Sequence, residues 1–139
     1  MLARWAKNPY AVGGAVVLIL ALGLFLAGRW TKRQRIPKRR KLPNNGSGIP
    51  KGWSEEALVK ETFDAFDGIF INNAKKLTVI GKLLGLTDDQ LVAVYNRFND
   101  LHTNRGDGTL YDWINDEWSL GDYPQTEQLL DRMRGLELI

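Results

Sequence analysis

The sequence contains no cysteine and only one histidine, His102, among its 139 residues. Without cysteine, neither a disulfide framework nor a thiolate metal site can form. His102 stands among Thr103, Asn104 and Arg105, and this polar setting predicts a solvated loop residue instead of a catalytic base. The sequence also lacks a phosphate-binding loop, a nucleophile elbow and a zinc-ligand pattern. We therefore predict a non-enzymatic protein with no catalytic residue, no metal, no cofactor and no small-molecule substrate.

Acidic residues are missing from the first third of the chain. Residues 1–51 contain eleven lysines or arginines and no acid, whereas residues 52–139 contain sixteen acids and eight bases. The formal charge is therefore +11 in the first segment and −8 in the second. This division predicts a basic, membrane-proximal arm joined to an acidic globular domain. A uniformly basic nucleic-acid-binding protein would show a different distribution.

Charged residues are also missing from residues 9–28. As a helix, these twenty residues would span about 30 Å, the thickness of the hydrocarbon core of a bilayer. Ten of them are valine, leucine, isoleucine or phenylalanine, which favours insertion. Trp5, Tyr10 and Trp30 flank the stretch, and such rings prefer the membrane–water interface. We predict a short N-terminal tail over residues 1–8 and a transmembrane helix over residues 9–30.

A cleavable signal peptide is the main alternative, with Arg4 and Lys7 as its charged start. Its apolar region would be unusually long for that role. The positive charges of residues 29–33 would stand just beyond the cleavage site, where they oppose export. The pattern therefore favours a retained single span.

The basic residues that follow the span predict its orientation, because such residues stay on the cytoplasmic side during insertion. The C-terminal domain is then cytoplasmic and the N-terminus outside. We predict that the arm contacts anionic headgroups. Docking on an acidic protein surface is an alternative, and nucleic-acid binding is disfavoured because no aromatic residue stands between Thr31 and Pro50. The predicted headgroup contacts are Arg29, Lys32, Arg33, Arg35, Lys38, Arg39, Arg40 and Lys41.

Residues 42–50 complete an arm and linker that cover residues 31–51. They are rich in proline, asparagine, glycine and serine, which predicts a flexible or extended connector. Fully stretched, these nine residues would reach about 30 Å. Such a connector would let the domain stand off the membrane or reach a neighbouring molecule.

From residue 52 onward the spacing of apolar residues is helical, without a strong strand signal. Helix starts are indicated by capping residues and one early proline at Ser54, Asn72 or Asn73, Thr87, Thr109 and Pro124. Gly85 and Gly135 are typical of helix ends. Five short helices within residues 52–139 predict a compact all-α domain.

The fourth predicted helix carries both Trp113 and Trp118. A spacing of five residues places them about 140° apart on a helix. Either both are buried, or one lies in the core and the other is exposed as an anchor for a partner. Both are therefore candidate protein-interface residues.

Three runs of the domain, residues 83–91, 110–117 and 129–133, together resemble one annexin-type repeat. The resemblance covers residues 54–134 and implies a right-handed coil of five helices. The family's calcium loop has the pattern Gly-x-Gly-Thr and an acid near the end of the fourth helix. Glu117 could match that acid, but residues 67–73 lack the second glycine and the threonine. The resemblance therefore implies the fold, with calcium binding as an alternative function.

Together these features predict a single-pass, membrane-anchored structural or adaptor protein that links a bilayer to another protein of a larger assembly. We expect a membrane-containing virion, with the domain between the bilayer and the protein shell, or capsid. The alternatives are a calcium- or lipid-regulated annexin-like module and a small accessory subunit of an organellar or bacterial envelope complex.

Overall fold

The computed structural model describes residues 36–68, 72–103 and 108–139. The chain divides into two compact units, Met1–Arg33 and Gln34–Ile139, and the first lies wholly outside the described residues. In the described ranges, no helix is long and apolar enough to cross a membrane. The predicted span and seven predicted membrane contacts lie outside these ranges: residues 9–30, with Trp5, Tyr10, Trp30, Arg29, Lys32, Arg33 and Arg35.

Five α-helices and one 3-10 turn form the described part of the second unit, which contains no strand. The all-α class is therefore confirmed. The elements are α1 (Glu56–Phe66), α2 (Asn73–Leu84), α3 (Asp88–His102), α4 (Leu110–Asn115), the 3-10 turn (Trp118–Leu120) and α5 (Pro124–Gly135).

Three of the five helices start at capping residues that the sequence predicts. The first starts one residue later than a cap at Ser54 implies: Glu55 is the N-cap of α1 without a side-chain cap, and the Ser54 hydroxyl accepts from the Glu56 amide at 3.3 Å. The Asn72 side chain accepts a hydrogen bond from the Lys75 amide at 3.0 Å. Thr87 and Gln90 form a reciprocal capping box at the start of α3, at 3.2 and 3.0 Å. Thr109 caps α4 in the same way, and Pro124 occupies the first turn of α5. Each cap satisfies amide groups that have no partner within their helix.

The fourth helix is shorter than the sequence predicts. It ends at Asn115, and Trp118 belongs to a separate 3-10 turn. Asn115 and Asp116 are weak helix formers, because their side chains compete for backbone hydrogen bonds. Glu117 then starts the turn: its carboxylate accepts from the Ser119 hydroxyl at 2.7 Å. The prediction that one helix carries both tryptophans is therefore wrong.

The core is built from the apolar faces of these helices, and α2 packs against α1, α5 and the 3-10 turn. The fully buried residues of the core include Val79, Ile80, Tyr95, Phe98 and Leu129. One polar contact within it fixes the start of α4, where the Leu110 amide donates to Asn99 of α3 at 2.8 Å. The short α4 is thereby held against the longer α3, which also packs against α1.

The linker does not stand away from the domain. Asp89, which is fully buried, accepts hydrogen bonds from the Asn44 and Gly48 amides, both at 2.8 Å. The Thr87 hydroxyl donates to the Gly48 carbonyl, also at 2.8 Å. Leu42 and Trp53 pack against the core. The expectation of a flexible connector is wrong over this stretch, because a buried carboxylate captures two backbone amides of the linker.

A tight turn makes this docking possible. Asn45 and Gly46 both adopt positive φ values, 52° and 86°, which asparagine and glycine tolerate best. Gly48 lies so close to α3 that a Cβ there would be 3.0 Å from the Thr87 hydroxyl and 3.1 Å from the Asp89 carboxylate. From this point the chain lies along α3 in the opposite direction, with Arg40 beside Asn96.

Candidate functional site

The two tryptophans lie in contrasting environments. Trp113 is 9% exposed and packs edge-on against Phe98, with ring centroids 5.3 Å apart. Trp118 is 78% exposed on the 3-10 turn. Burial of both rings, one of the two alternatives above, is therefore wrong. Of the two interface candidates, only Trp118 presents its indole to solvent.

A buried ion pair holds the turn that carries Trp118. Lys76 of α2 is 2% exposed, and its ammonium donates to a Glu117 carboxylate oxygen. The same ammonium lies 5.7 Å from the centre of the Phe66 ring. Asn73 adds a hydrogen bond to the Ser119 carbonyl at 3.2 Å. The first half of α2 therefore fixes the backbone on both sides of Trp118.

The surroundings of Glu117 lower its pKa. Burial alone would raise that pKa, but the hydrogen bonds from Lys76 and Ser119 stabilise the ionised form more strongly. The carboxylate is therefore ionised at neutral pH, and its charge is compensated by the Lys76 ammonium. This arrangement makes Glu117 a positioning group of the turn.

Two uncompensated carboxylates stand within four residues of Trp118 in the sequence. Asp116 and Asp122 are exposed, and within the described ranges neither has a cationic partner. Five other exposed acids pair with a lysine or arginine: Glu56, Asp64, Glu127, Asp131 and Glu137. Tyr123, also exposed, follows Asp122 directly. Asp116, Trp118, Asp122 and Tyr123 are hereafter called the Trp118 surface.

Four of the eight predicted headgroup contacts lie in the described part of the chain: Lys38, Arg39, Arg40 and Lys41. Arg39 donates through Nε to Asp100 at 2.8 Å. The Arg40 guanidinium lies 3.9 Å from Glu137, and its backbone amide donates to Asn96 at 2.8 Å. Headgroup binding by these arginines stays a prediction, and it would have to compete with two acids of the chain itself.

The environment of His102 differs from the predicted solvated loop. It is the last residue of α3, and its ring stacks on Phe63 with centroids 4.0 Å apart. Its ring also lies 4.9 Å from that of Phe98. The rings of His102 and Phe63, together with Val59 and Leu101, line a cavity of about 160 Å³ between α1 and α3. The sequence prediction was wrong because the helix continues through His102.

Among the described residues, no group of three or more histidine, cysteine, aspartate or glutamate side chains could hold a metal ion. Residues 69–71, part of the segment that corresponds to the annexin calcium loop, lie outside the described ranges. Glu117, the acid that could match the annexin-type site, faces the Lys76 ammonium. A divalent cation at Glu117 would have to displace that ammonium or share its partner.

The sequence did not identify three residues of this region as members of the site. Asp116 and Asp122 could have been noticed because both stand within four residues of Trp118. Lys76 precedes Ile80 and Leu83 at helical spacing, so it occupies a position in the buried stripe of α2. A lysine at such a position signals a buried partner, but the identity of that partner depends on the fold.

Comparisons of the chain with protein-family models, with curated proteins and with solved structures find no match. The role of the Trp118 surface is therefore inferred from its geometry and chemistry.

Proposed function

We propose that this protein is a non-enzymatic, single-pass membrane protein whose helical domain binds another protein through the Trp118 surface. The 78% exposure of Trp118 carries the proposal. A large exposed aromatic ring loses favourable burial in an isolated domain, and tryptophan is enriched among residues that dominate binding energy. Because Lys76 and Asn73 already fix the turn, a partner would meet a pre-ordered surface.

The membrane part of the proposal depends on the uncharged residues 9–28 and on the basic residues that follow them. In this topology the N-terminus is outside and the domain is cytoplasmic. A membrane-containing virion suits such an adaptor, with the domain facing the capsid. An accessory subunit of an organellar or bacterial envelope complex has the same requirements and is the second proposal.

Photo-cross-linking in native membranes tests the proposed function. A photoreactive amino acid replaces Trp118 in the full chain, and a matched variant carries it at Ile139, which is 63% exposed. Ile139 follows the end of α5, whereas Trp118 precedes its start. We expect a discrete adduct with another protein from position 118 and not from position 139. Lipid adducts alone, or equal labelling from both positions, would contradict the proposal.

The topology has its own test. Single cysteines are placed at Ser47, which is exposed, and at Ala3, and are probed with an impermeant thiol reagent in intact cells. We expect labelling at position 3 only. Labelling at position 47 but not at position 3 would overturn the orientation.

The annexin-like arrangement also remains a proposal. It is supported by the order of five helices and by the capping box with Gln90 at the start of α3. An experimental structure of the domain should superpose on an annexin repeat as a right-handed coil of helices. A different helix order in space would remove this likeness, and with it the calcium- or lipid-regulated alternative.

A further inference from the structure

We propose that the Trp118 surface binds an extended segment rich in arginine or lysine on the partner protein. This inference rests on the proposed function, because it specifies the chemistry of the protein partner. It starts from the combination of an exposed indole and two exposed carboxylates that have no cationic partner among the described residues.

The four side chains belong to one corner of the domain. They fall within residues 116–123, and two turn hydrogen bonds keep this segment compact. The Leu120 amide donates to the Glu117 carbonyl at 3.0 Å, and the Tyr123 amide donates to the Leu120 carbonyl at 3.1 Å. Leu120 itself is fully buried, so the corner is anchored in the core. A ligand at this corner would meet aromatic and anionic groups together.

The charges select a cationic ligand. Asp116 and Asp122 differ from exposed acids such as Glu127 and Asp131, which already pair with Arg134. An uncompensated carboxylate attracts a cation more strongly than one that is already paired. Two such carboxylates within the short segment 116–122 favour a ligand with several basic residues over a ligand with a single one.

The aromatic rings select the same ligand. A guanidinium or ammonium group is attracted to the face of an indole, and arginine can stack on it as well. Trp118 is the most exposed of the large apolar residues in the described ranges. An arginine stacked on Trp118 could at the same time reach a neighbouring carboxylate, so both features of the corner would be used.

The same charges argue against two other occupants. An anionic lipid surface would be repelled by Asp116 and Asp122, whose charges no described residue compensates. The two arginines of the chain's own arm that lie in the described ranges are engaged elsewhere, Arg39 with Asp100 and Arg40 with Glu137. The fitting occupant is therefore a basic segment of another protein.

A binding experiment tests this inference with the full chain in phosphatidylcholine nanodiscs at 0.15 M salt. The probe is a fluorescent twelve-residue peptide of alternating arginine and serine, and its anisotropy gives Kd. A peptide of alternating glutamine and serine is the neutral control. We expect saturable binding of the arginine peptide only.

Variants then locate the binding. Trp118→Ala should raise Kd about tenfold, whereas Trp118→Phe should retain most of the affinity. The double variant Asp116→Asn/Asp122→Asn should raise Kd about fivefold. The matched control Glu61→Gln/Asp64→Asn removes the same charge from α1, where both acids already pair with lysines. It should change Kd less than twofold, and circular dichroism should show that every variant remains folded.

Two results would overturn the inference: no saturable binding, or an equal loss of affinity in the matched control and in Asp116→Asn/Asp122→Asn. The cross-linking experiment separates this failure from that of the proposed function. A protein adduct at position 118 whose cross-linked segment is neutral or acidic would leave the adaptor function in place and refute only the basic ligand. An adduct within a basic segment would support both.

Discussion

The 3-10 turn and the docked linker are both irregular segments that a buried polar residue attaches to a helix. At the turn, the attachment joins two side chains of opposite charge, Lys76 and Glu117. At the linker, the single carboxylate of Asp89 receives two backbone amides. The turn leaves its aromatic residue in solvent, whereas the linker packs Leu42 and Trp53 against the core. Similar attachments therefore have opposite results: the turn exposes an aromatic ring to solvent, whereas the linker packs its apolar residues on the domain.

The two regions also differ in how much an ion pair is expected to contribute to stability. The Lys76–Glu117 pair is nearly buried, so removal of one partner leaves a charge without compensation in a poorly solvated place. The Arg39–Asp100 pair beside the linker is largely exposed, and water can replace either partner. We expect variants in these two regions to differ strongly, and the following predictions run from the largest effect to the smallest.

Lys76→Met should destabilise the second compact unit by about 3 kcal/mol, because it leaves the Glu117 carboxylate buried without its cation. Urea denaturation of residues 34–139 measures the change. The matched control is Lys82→Met, which removes a lysine of the same helix from a more exposed pair with Glu61 at 2.6 Å. The double variant Lys76→Met/Glu117→Gln should lose less free energy of unfolding than the two single variants lose in sum. Additive effects would contradict a direct pair.

Asp89→Ala should destabilise the unit by about 2 kcal/mol, since two backbone amides of the linker lose their charged acceptor. Gly48→Ala tests the same docking without a change in the helix, because its Cβ would press on Thr87 and Asp89. Both variants should expose the basic residues of the arm to trypsin, and cleavage should be at least about tenfold faster. Ser47→Ala, at an exposed position, is the control. Unchanged cleavage in Asp89→Ala would show that other contacts hold the linker.

Acidification should weaken the turn through Glu117. Its pKa is lowered in the folded protein, so its stabilising contribution is complete above the pKa of the unfolded chain and is lost as pH falls through the folded value. Relative to Glu117→Gln, the wild-type unit should therefore be more stable at pH 7 and should lose this advantage towards pH 3. Urea midpoints across this range provide the measurement. A constant difference between the two proteins would refute the assignment.

Arg39→Ala should change the melting temperature by about 2 °C or less, since its pair with Asp100 is exposed. A comparable change in Asp100→Ala would support the pairing, and thermal melts at low and high salt would show its electrostatic origin. A loss similar to that of Asp89→Ala would mean that the arm depends on its charges and not on the buried carboxylate.

Calcium should have the smallest effect. At millimolar concentration it should leave the melting temperature of residues 34–139 nearly unchanged, because the Lys76 ammonium already compensates Glu117. Magnesium at equal concentration controls for ionic strength. A saturable increase of several degrees that is abolished by Glu117→Gln would restore the calcium-regulated alternative.

Local signals in the sequence predicted the helices well. Capping at Asn72, Thr87 and Thr109 depends on side chains within three residues of the amides that they bind. The end of α4 and the exposure of Trp118 could not be predicted in this way. They depend on Glu117 and Lys76, which are 41 residues apart in the sequence.

The linker shows the same limit. Its proline, asparagine, glycine and serine content predicted a flexible or extended connector, whereas the structure has a turn in which Asn45 and Gly46 adopt positive φ values. Composition could not reveal that Asp89 captures this turn, because an acid in the first turn of a helix usually serves the helix alone. Likewise, the polar neighbours of His102 did not reveal that its ring stacks on Phe63.

The docked linker has a consequence for how far the domain could travel from its proposed anchor. If residues 31–52 were free, this tether of 22 residues would reach about 75 Å from a span that ends at Trp30. Attachment of Arg39 to α3 leaves only residues 31–38, whose greatest reach is about 28 Å. The volume open to the domain then falls more than about tenfold, which raises its local concentration at the membrane by the same factor. A partner held at that distance would meet the domain often, whereas one further away would stay out of reach.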